Sequence, residues 1–243
     1  MQVASLGKIE ENLKKYEESI GLEFHPFCIG WYNDRVSGNF KLDYPKDTLA
    51  FCVISTPSFF EKSFLPFVKN HEFCMNDPFD QCMISNYQNI KEDFDAAIDV
   101  IHDFELHSNR RPKILTQTAG HVSGSAFYYQ RKDVVDENSR WNGKKVFGVS
   151  NHPKYGGWFG FRGALIFKNH SASFLEYKEP EDLLSNEKKI ELLEKFNFSW
   201  QDWTFRDVAN ESGERYSDLQ KQYFRCKPSE RKELLNDFFL EKS

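Results

Sequence analysis

Four residues in the segment 114–132 have the spacing of one helix face: Gln117, His121, Gly124 and Tyr128. Residues three or four positions apart share a face of a helix, so this segment would present an amide, an imidazole and a phenol side by side. Small neighbours would leave room there for a large ligand. The alternative is close packing of the helix on a neighbouring element, with His121 in a structural role. The spacing alone leaves both interpretations open.

An arginine in the middle of a predicted strand, 158–167, is the second candidate. Alternation puts Arg162 between Gly160 and Ala164 on one face, opposite a row of five residues: Phe159, Phe161, Gly163, Leu165 and Phe167. Because an unpaired buried charge is costly, Arg162 needs an anionic partner. A bound carboxylate or an internal Asp or Glu would satisfy it equally well.

Several common motifs are missing from the sequence. It contains no GxGxxG or GxxxxGK[ST] loop and no GxSxG elbow, so a nucleotide-like cofactor would have to be held in another way. The cysteines form no CxxC pair and no zinc spacing, and we expect reduced thiols and no structural metal: Cys28, Cys52, Cys74, Cys82 and Cys226.

Composition narrows the class of protein further. The net charge of −5 argues against a nucleic-acid-binding protein, which usually carries a basic surplus. No apolar run approaches the roughly 20 residues that span a bilayer, and the first residues do not resemble a signal peptide, so we expect no membrane partner and a cytoplasmic location. The 24 Phe, 10 Tyr and 5 Trp could fill a Phe-rich core or bind a flat conjugated ligand.

The elements that would position these residues are mixed along the chain. Periodicity and capping signals predict helices at 8–20, from Pro57, from Pro78 to the mid-nineties, and at 114–132, 186–196, 214–224 and 229–241. Strands are predicted at 24–32, 48–55, 98–106, 146–150 and 158–167. Because helices and strands do not alternate regularly, we expect an α+β fold, in one domain over 1–243, with a core to about 180 and a mainly helical part over 186–243.

Long segments of the chain resemble the CblC (MMACHC) family of cobalamin metabolism. They are HSNRRPKILTQTAGHVSGSAFYYQRKDV (107–134), GVSNHPKYGGWFGFRG (148–163), FNFSWQDWTFRD (196–207) and ERYS (214–217). The earlier segments FHPFCIGWYN, TLAFCVISTPSFF and DPFDQC are similar in the same order. The resemblance therefore covers most of the chain, from about residue 24 to 235.

The resemblance implies a flavin-reductase fold, related to nitroreductases, and a cytosolic enzyme that binds cobalamin with its lower base detached. Such an enzyme removes the upper axial ligand: cyanocobalamin is reduced with electrons from NADPH through reduced FAD or FMN, and alkylcobalamins lose their alkyl group to the glutathione thiolate. The product would serve methylcobalamin and adenosylcobalamin synthesis, with a cblD-type adaptor protein and the methionine synthase machinery as partners. A homodimer is left open.

Family positions can be carried over residue by residue. The cobalamin-binding set implied by the resemblance is Asp103, Ile114, Leu115, Thr116, Gln117, His121, Tyr128, Tyr129, Gln130, Ser150 and Phe161. The glutathione-binding set is Arg162, Arg206 and Arg231. Since glutathione or the flavin is the reactant, no catalytic side chain is implied. Strand alternation puts Phe161 and Arg162 on opposite faces, so a bulge or a backbone contact is expected there.

This chain also departs from the family pattern. Ser150 stands where relatives have Cys, the Pro-rich tail of some relatives is missing, and no Asp-x-His-x-x-Gly motif supplies an imidazole to cobalt. We therefore expect cobalt to have no protein ligand. Two other functions remain open: a cobalamin chaperone without catalysis, and a flavin-dependent nitroreductase with no cobalamin role.

Overall fold

The structure is a computed structural model that describes residues 2–70, 77–94, 96–135 and 140–241. Cys74 lies outside these residues. The helices are α1 (Gln2–Ile20), α2 (Ile29–Asn33), α3 (Leu65–Asn70), α4 (Pro78–Glu92), α5 (Thr116–Val122), α6 (Asn186–Phe198), α7 (Asp218–Arg225) and α8 (Arg231–Glu241). The strands are β1 (Leu22–Cys28), β2 (Thr48–Ser55), β3 (Ile98–His102), β4 (Phe127–Tyr129), β5 (Val149–Asn151) and β6 (Gly160–Ser171).

A four-stranded antiparallel sheet in the order β1-β2-β6-β3 forms the centre of the fold. Strand β2 is buried along its whole length because helices cover both faces of the sheet. Helices α1, α4, α7 and α8 pack on one face, and α2 and α5 pack on the other. A third apolar cluster joins α6 to the small β4–β5 sheet. The predicted α+β class is confirmed, and all regular elements from Asn186 to Glu241 are helices.

Several local signals place elements where they were predicted. Strand β2 has the predicted limits. Gly21, with φ +75°, ends α1 in the left-handed conformation that glycine adopts readily. Asp77 caps α4 by accepting a hydrogen bond from the Asp80 amide, with Pro78 in the first turn. None of the helices in the described residues is both long and apolar enough to cross a membrane.

The helix predicted over 114–132 is wrong. Helix α5 covers only Thr116–Val122, and Gly124 follows it with φ +76°. A glycine in this conformation ends a helix, and the aromatic run from Phe127 to Tyr129 then pairs with β5 as a strand. Gly124 and Tyr128 therefore do not extend the helical stripe that begins with Gln117.

A β-bulge lies at Arg162, as the sequence allowed. Val53 pairs with Gly163 and Ile54 with Phe161, so Arg162 has no partner on β2. Gly163 has φ +107°, and a Cβ there would lie 1.9 Å from the Ile101 carbonyl oxygen, so only glycine fits.

The bulge also corrects the predicted faces of β6. Phe161 packs with Ala164 and Ile166 in one cluster, whereas Leu165 and Phe167 belong to the other. Strict alternation had grouped Phe161 with Leu165 and Phe167, and the extra residue in the strand reverses that grouping.

Candidate functional site

A cavity of about 660 Å³ lies between the central fold and the helical C-terminal part. We call it the aromatic cavity, and its lining is Gln117, Tyr128, Phe147, Gly148, Phe196, Asn197, Trp200, Trp203, Phe205 and Arg206. Most of these side chains carry an aromatic ring, and Phe147 and Trp200 are 57% and 56% exposed. Such walls suit a large, flat, conjugated ligand.

Two local contacts shape this cavity. The Asn197 side chain accepts a hydrogen bond from the Phe147 amide (2.8 Å) and donates one to the Phe147 carbonyl (3.0 Å), which fixes the 147–148 segment to α6. A Cβ on Gly148 would come within 2.6 Å of the Tyr128 ring. The glycine therefore lets that ring lie directly against the backbone.

A smaller polar cavity of about 120 Å³ shares Tyr128 with the aromatic cavity. Its lining is Arg35, Thr118, His121, Phe127, Tyr128, Gln130, Lys132, Asp133 and Glu179. Glu179 accepts from Arg35 at 2.7 Å and lies 2.9 Å from His121 Nε2. Burial raises the pKa of Glu179, but hydrogen bonds from Arg35, Tyr177 and His121 outweigh it and lower that pKa to about 2.

Both ring nitrogens of His121 are engaged within the protein. Nδ1 accepts a hydrogen bond from the Tyr128 amide at 3.2 Å, so Nε2 carries the proton and donates to Glu179. His121 therefore orients the start of β4 beside the cavity. Tyr128 and Gln117 therefore line the same cavity although they do not share a helix.

The three arginines predicted for one ligand contact one group of aromatic rings. Arg162 lies 4.6 Å from the centre of the Phe79 ring, Arg206 5.2 Å from that of Tyr216, and Arg231 4.8 Å from that of Tyr223. Phe224 contacts all three of these rings, with centroid separations of 5.4 to 6.1 Å. We call Arg162, Arg206 and Arg231 the arginine cluster. Planar guanidinium groups held this way suit recognition of carboxylates.

Acidic residues lie beside two of these arginines. Arg162 donates to Ser55 Oγ at 2.9 Å, and its guanidinium lies 3.9 Å from the Asp103 carboxylate, a loose pair. Burial, with the nearby charges of Asp77 and Asp103, raises the pKa of Asp80 to about 6, although Arg162 and Arg231 oppose the shift. Arg162 thus has an internal acidic neighbour, and the separation leaves its donors available for a further anion.

Some predicted contact residues do not present their side chains to a cavity. Ile114 and Tyr129 are buried in apolar clusters, so a ligand could meet them only through the backbone. Leu115 and Thr116 lie half-buried at the start of α5. Phe161 packs against Gly120, where a Cβ would strike its ring.

Ser150 is buried opposite Tyr128 in the β4–β5 pair. Among the described residues its hydroxyl has no hydrogen-bond partner. The same holds for Arg206 Nε, in the wall of the aromatic cavity. Buried polar atoms without partners are uncommon and need an explanation.

Sequence analysis did not identify most of the aromatic lining. Phe147, Phe196, Trp200, Trp203 and Phe205 were not predicted as site residues. A signal was present, because the segment 196–205 has five aromatic residues in ten positions. Such density is unusual for a stretch in which Trp200 stays more than half exposed.

Fold and site together define an α+β protein with a large aromatic cavity that has an arginine, Arg206, in its wall. Residues 21–235 match the methylmalonic aciduria and homocystinuria type C (MMACHC) family, and the chain belongs to that family. The resemblance found in the sequence is thereby confirmed.

Named relatives and a solved structure agree with this assignment. The chain is 49% identical over 231 residues to a Gallus gallus "Cyanocobalamin reductase / alkylcobalamin dealkylase", covering 94% of this chain and 96% of that protein. It is 42% identical to the Homo sapiens protein of the same name, covering 94% and 82%. A crystal structure of a Caenorhabditis elegans B12-trafficking protein CblC superposes with a TM-score of 0.86 at 33% identity, covering 96% of each chain.

Proposed function

We propose that this protein is a cobalamin-processing enzyme, a cyanocobalamin reductase and alkylcobalamin dealkylase. The names of relatives at 42–49% identity support the activity. The observation that carries the proposal is the position of Arg206, which lines the aromatic cavity and also belongs to the arginine cluster. A corrin in this cavity would lie beside groups that bind a carboxylate-bearing thiol.

In this proposal the corrin ring lies against the aromatic walls, and the detached nucleotide tail extends towards the polar cavity next to Tyr128. His121 would line the tail site and not coordinate cobalt, because both of its nitrogens are already engaged. Loss of the lower base removes an electron donor from cobalt. Axial ligation is a main lever on metal reduction potentials, so reduction of cobalt becomes easier.

For dealkylation, the arginine cluster would bind the two carboxylates of glutathione. The thiolate sulfur attacks the alkyl carbon, a sulfur–carbon bond forms, and the cobalt–carbon bond breaks. The electron pair of the broken bond stays on cobalt, which gives cob(I)alamin and a thioether. Holding the two reactants in line supplies several kcal/mol of rate acceleration through effective concentration.

For decyanation, electrons would come from NADPH through FAD or FMN. The exposed rings of Phe147 and Trp200 at the aromatic cavity fit a flat isoalloxazine as well as a corrin edge. Phe147 and Trp200 would hold the flavin, and the bound flavin would supply the reducing electrons. The flavin-reductase type of fold, the adaptor and methionine synthase partners and the homodimer stay predictions from the family resemblance.

Spectral titration and turnover of the purified protein test the proposal. Cyanocobalamin and methylcobalamin should change to their base-off spectra on binding. Anaerobic glutathione should then convert methylcobalamin to cob(I)alamin and S-methylglutathione, and NADPH with flavin should release cyanide from cyanocobalamin. An unchanged spectrum at saturating protein contradicts the proposal. Base-off binding without turnover would indicate a chaperone, and nitroarene reduction without corrinoid binding would indicate a nitroreductase.

The raised pKa of Asp80 predicts a pH dependence for binding of the thiol peptide. Above a pH of about 6 the Asp80 carboxylate is charged and competes with a ligand carboxylate for Arg162 and Arg231. Below it Asp80 is neutral, so binding should strengthen as the pH falls. Between pH 7.5 and 5.5 we expect the Kd of S-methylglutathione, whose own charge hardly changes, to decrease roughly three- to tenfold.

Calorimetry at several pH values measures this dependence. The Asp80→Asn variant should bind S-methylglutathione tightly at every pH in this range, and most of the pH dependence of its Kd should be lost. Asp103, whose pKa burial also raises, faces Arg162 as well, so Asp103→Asn is the companion variant. A wild-type Kd that rises as the pH falls would contradict the assignment of this region to an anionic ligand.

A further inference from the structure

Glu23 on β1 holds three side chains, of which two, His152 and Tyr155, come from a distant part of the sequence. Its carboxylate accepts from the Tyr155 hydroxyl at 2.7 Å and lies 3.2 Å from His25 Nε2 and 3.4 Å from His152 Nε2. The His152 side chain is only 6% exposed. Burial raises the pKa of Glu23, but the hydrogen bonds from His152, His25 and Tyr155 outweigh it and lower that pKa strongly. The carboxylate is therefore charged and acts as a shared acceptor.

The group Glu23, His25 and His152 has the spacing of a metal site. The hydrogen bonds of His152 argue against that function. Its Nδ1 accepts from the backbone amides of Lys154 at 3.1 Å and of Tyr155 at 3.3 Å, so the proton of the neutral ring is on Nε2. A histidine that binds metal through Nε2 needs the proton on Nδ1, donated to an acceptor. Two amide donors at Nδ1 exclude that arrangement while the turn keeps its conformation.

The same hydrogen bonds fix a turn that reaches the arginine cluster. His152 and Gly156 exchange two backbone hydrogen bonds, which close the 152–157 turn. At its end the Gly157 amide donates to the Arg206 carbonyl at 2.9 Å, and the Arg206 guanidinium donates to the Gly157 carbonyl.

Gly156 and Gly157 lie so close to residue 206 that a side chain on either would collide with its backbone. A Cβ on Gly156 would come within 2.6 Å of the Arg206 carbonyl oxygen, and one on Gly157 within 2.7 Å of the Arg206 Cα. The position of Arg206 therefore depends directly on the conformation of this turn.

We propose that Glu23 and His152 are positioning residues that hold the 152–157 turn, and through it Arg206, in place for the thiol co-substrate. This inference rests on the proposed function, because it assigns the purpose of the Arg206 position. Neither side chain lines the aromatic cavity. Arg206 is one of ten residues that line that cavity but one of only three in the arginine cluster, so loss of Glu23 or His152 should affect use of glutathione much more than binding of cobalamin.

Glu23→Gln is the main test. The amide keeps the size of the side chain but removes its charge and one of its two accepting oxygens, so it can no longer accept from both the Tyr155 hydroxyl and His152 Nε2–H. We expect the KM for glutathione in methylcobalamin dealkylation to rise about tenfold, with kcat within threefold and the cobalamin Kd within twofold of the unmodified protein. His25→Gln is the matched control, because His25 bonds the same carboxylate but donates nothing to the turn, and its KM should stay within twofold.

His152→Asn is the second variant, and it tests the same inference if Glu23→Gln does not fold. The Asn oxygen can still accept the amides of the turn, but the donor to Glu23 is lost. In this background Glu23→Gln should add little to the KM, since the two residues act as a pair. Circular dichroism and the Tm check that each variant is folded.

Each outcome decides between the proposals. An inactive unmodified protein would refute the proposed function. Suppose that the unmodified protein is active, but that Glu23→Gln weakens cobalamin binding and raises the KM for glutathione by equal factors, or changes neither. That result would refute the positioning inference alone. Stoichiometric Zn²⁺ binding in calorimetry, abolished by His25→Gln, would show that the group is a metal site and would also overturn the inference.

Discussion

Replacing Trp200 by alanine is expected to weaken cobalamin binding by about 30-fold. The indole lines the aromatic cavity and is 56% exposed, so a corrin lying on it would bury much of its remaining surface. Removing such a contact costs roughly 2 kcal/mol, which corresponds to that change in Kd. Because the side chain is largely exposed in the folded protein, stability should change little. Titration of cyanocobalamin, followed by its visible spectrum, measures the effect.

Phe198→Ala is the matched control for Trp200→Ala. Phe198 is 52% exposed, ends α6 two residues earlier, and lies over Lys144, away from the cavity lining. Its removal should change the cobalamin Kd less than twofold. Equal weakening by both variants would mean that the aromatic surface acts non-specifically, and no weakening by Trp200→Ala would place the corrin elsewhere.

Arg162→Ala is expected to reduce kcat/KM for glutathione about 100-fold, equivalent to roughly 2.7 kcal/mol. That magnitude is within the range of charge-assisted hydrogen bonds between a guanidinium and a carboxylate. Arg162 lies on the Phe79 ring outside the aromatic cavity, so the cobalamin Kd should change less than about threefold. Stopped-flow formation of cob(I)alamin from methylcobalamin over a range of glutathione concentrations separates the two effects.

Two further variants show whether that loss is specific. Removal of Arg162 leaves Asp103 with one fewer neighbour of opposite charge. The Tm of Arg162→Ala is therefore measured. The double variant Arg162→Ala, Asp103→Asn also removes the charge of the carboxylate that has lost its neighbour. Arg35→Ala removes an arginine of the polar cavity, and its KM for glutathione should stay close to that of the unmodified protein. Parallel losses of glutathione use and cobalamin affinity in Arg162→Ala would identify a structural arginine.

The candidate site was predicted in part. Gln117, Tyr128 and Arg206 line the aromatic cavity, and His121 and Gln130 line the polar cavity, as a ligand contact would require. The side chains of Ile114 and Tyr129 lie in the core, and the position of a residue in a matching segment could not reveal that. The aromatic side chains of 196–205 were not predicted, because the patterns that indicated a site were based on the spacing of polar side chains.

The sequence by itself determined features that depend on neighbouring residues. The apolar run of β2, the Asp77–Pro78 start of α4 and the Gly21 end of α1 follow from local sterics and capping, and these were predicted correctly. Family membership could also be inferred from the sequence, because several long segments that match a family in the same order are highly specific.

Tertiary structure alone decided the features that depend on distant contacts. The end of α5 and the pairing of β4 with β5 overrode a helical periodicity in 114–132. Pairing with β2 created the bulge that places Phe161 on the same face as Ala164 and Ile166. Packing around Phe224 brought the arginine cluster onto one group of rings, and Glu23 met His152 across most of the chain. Such contacts form only when separate elements pack, so their free energies are not encoded in any local window of the sequence.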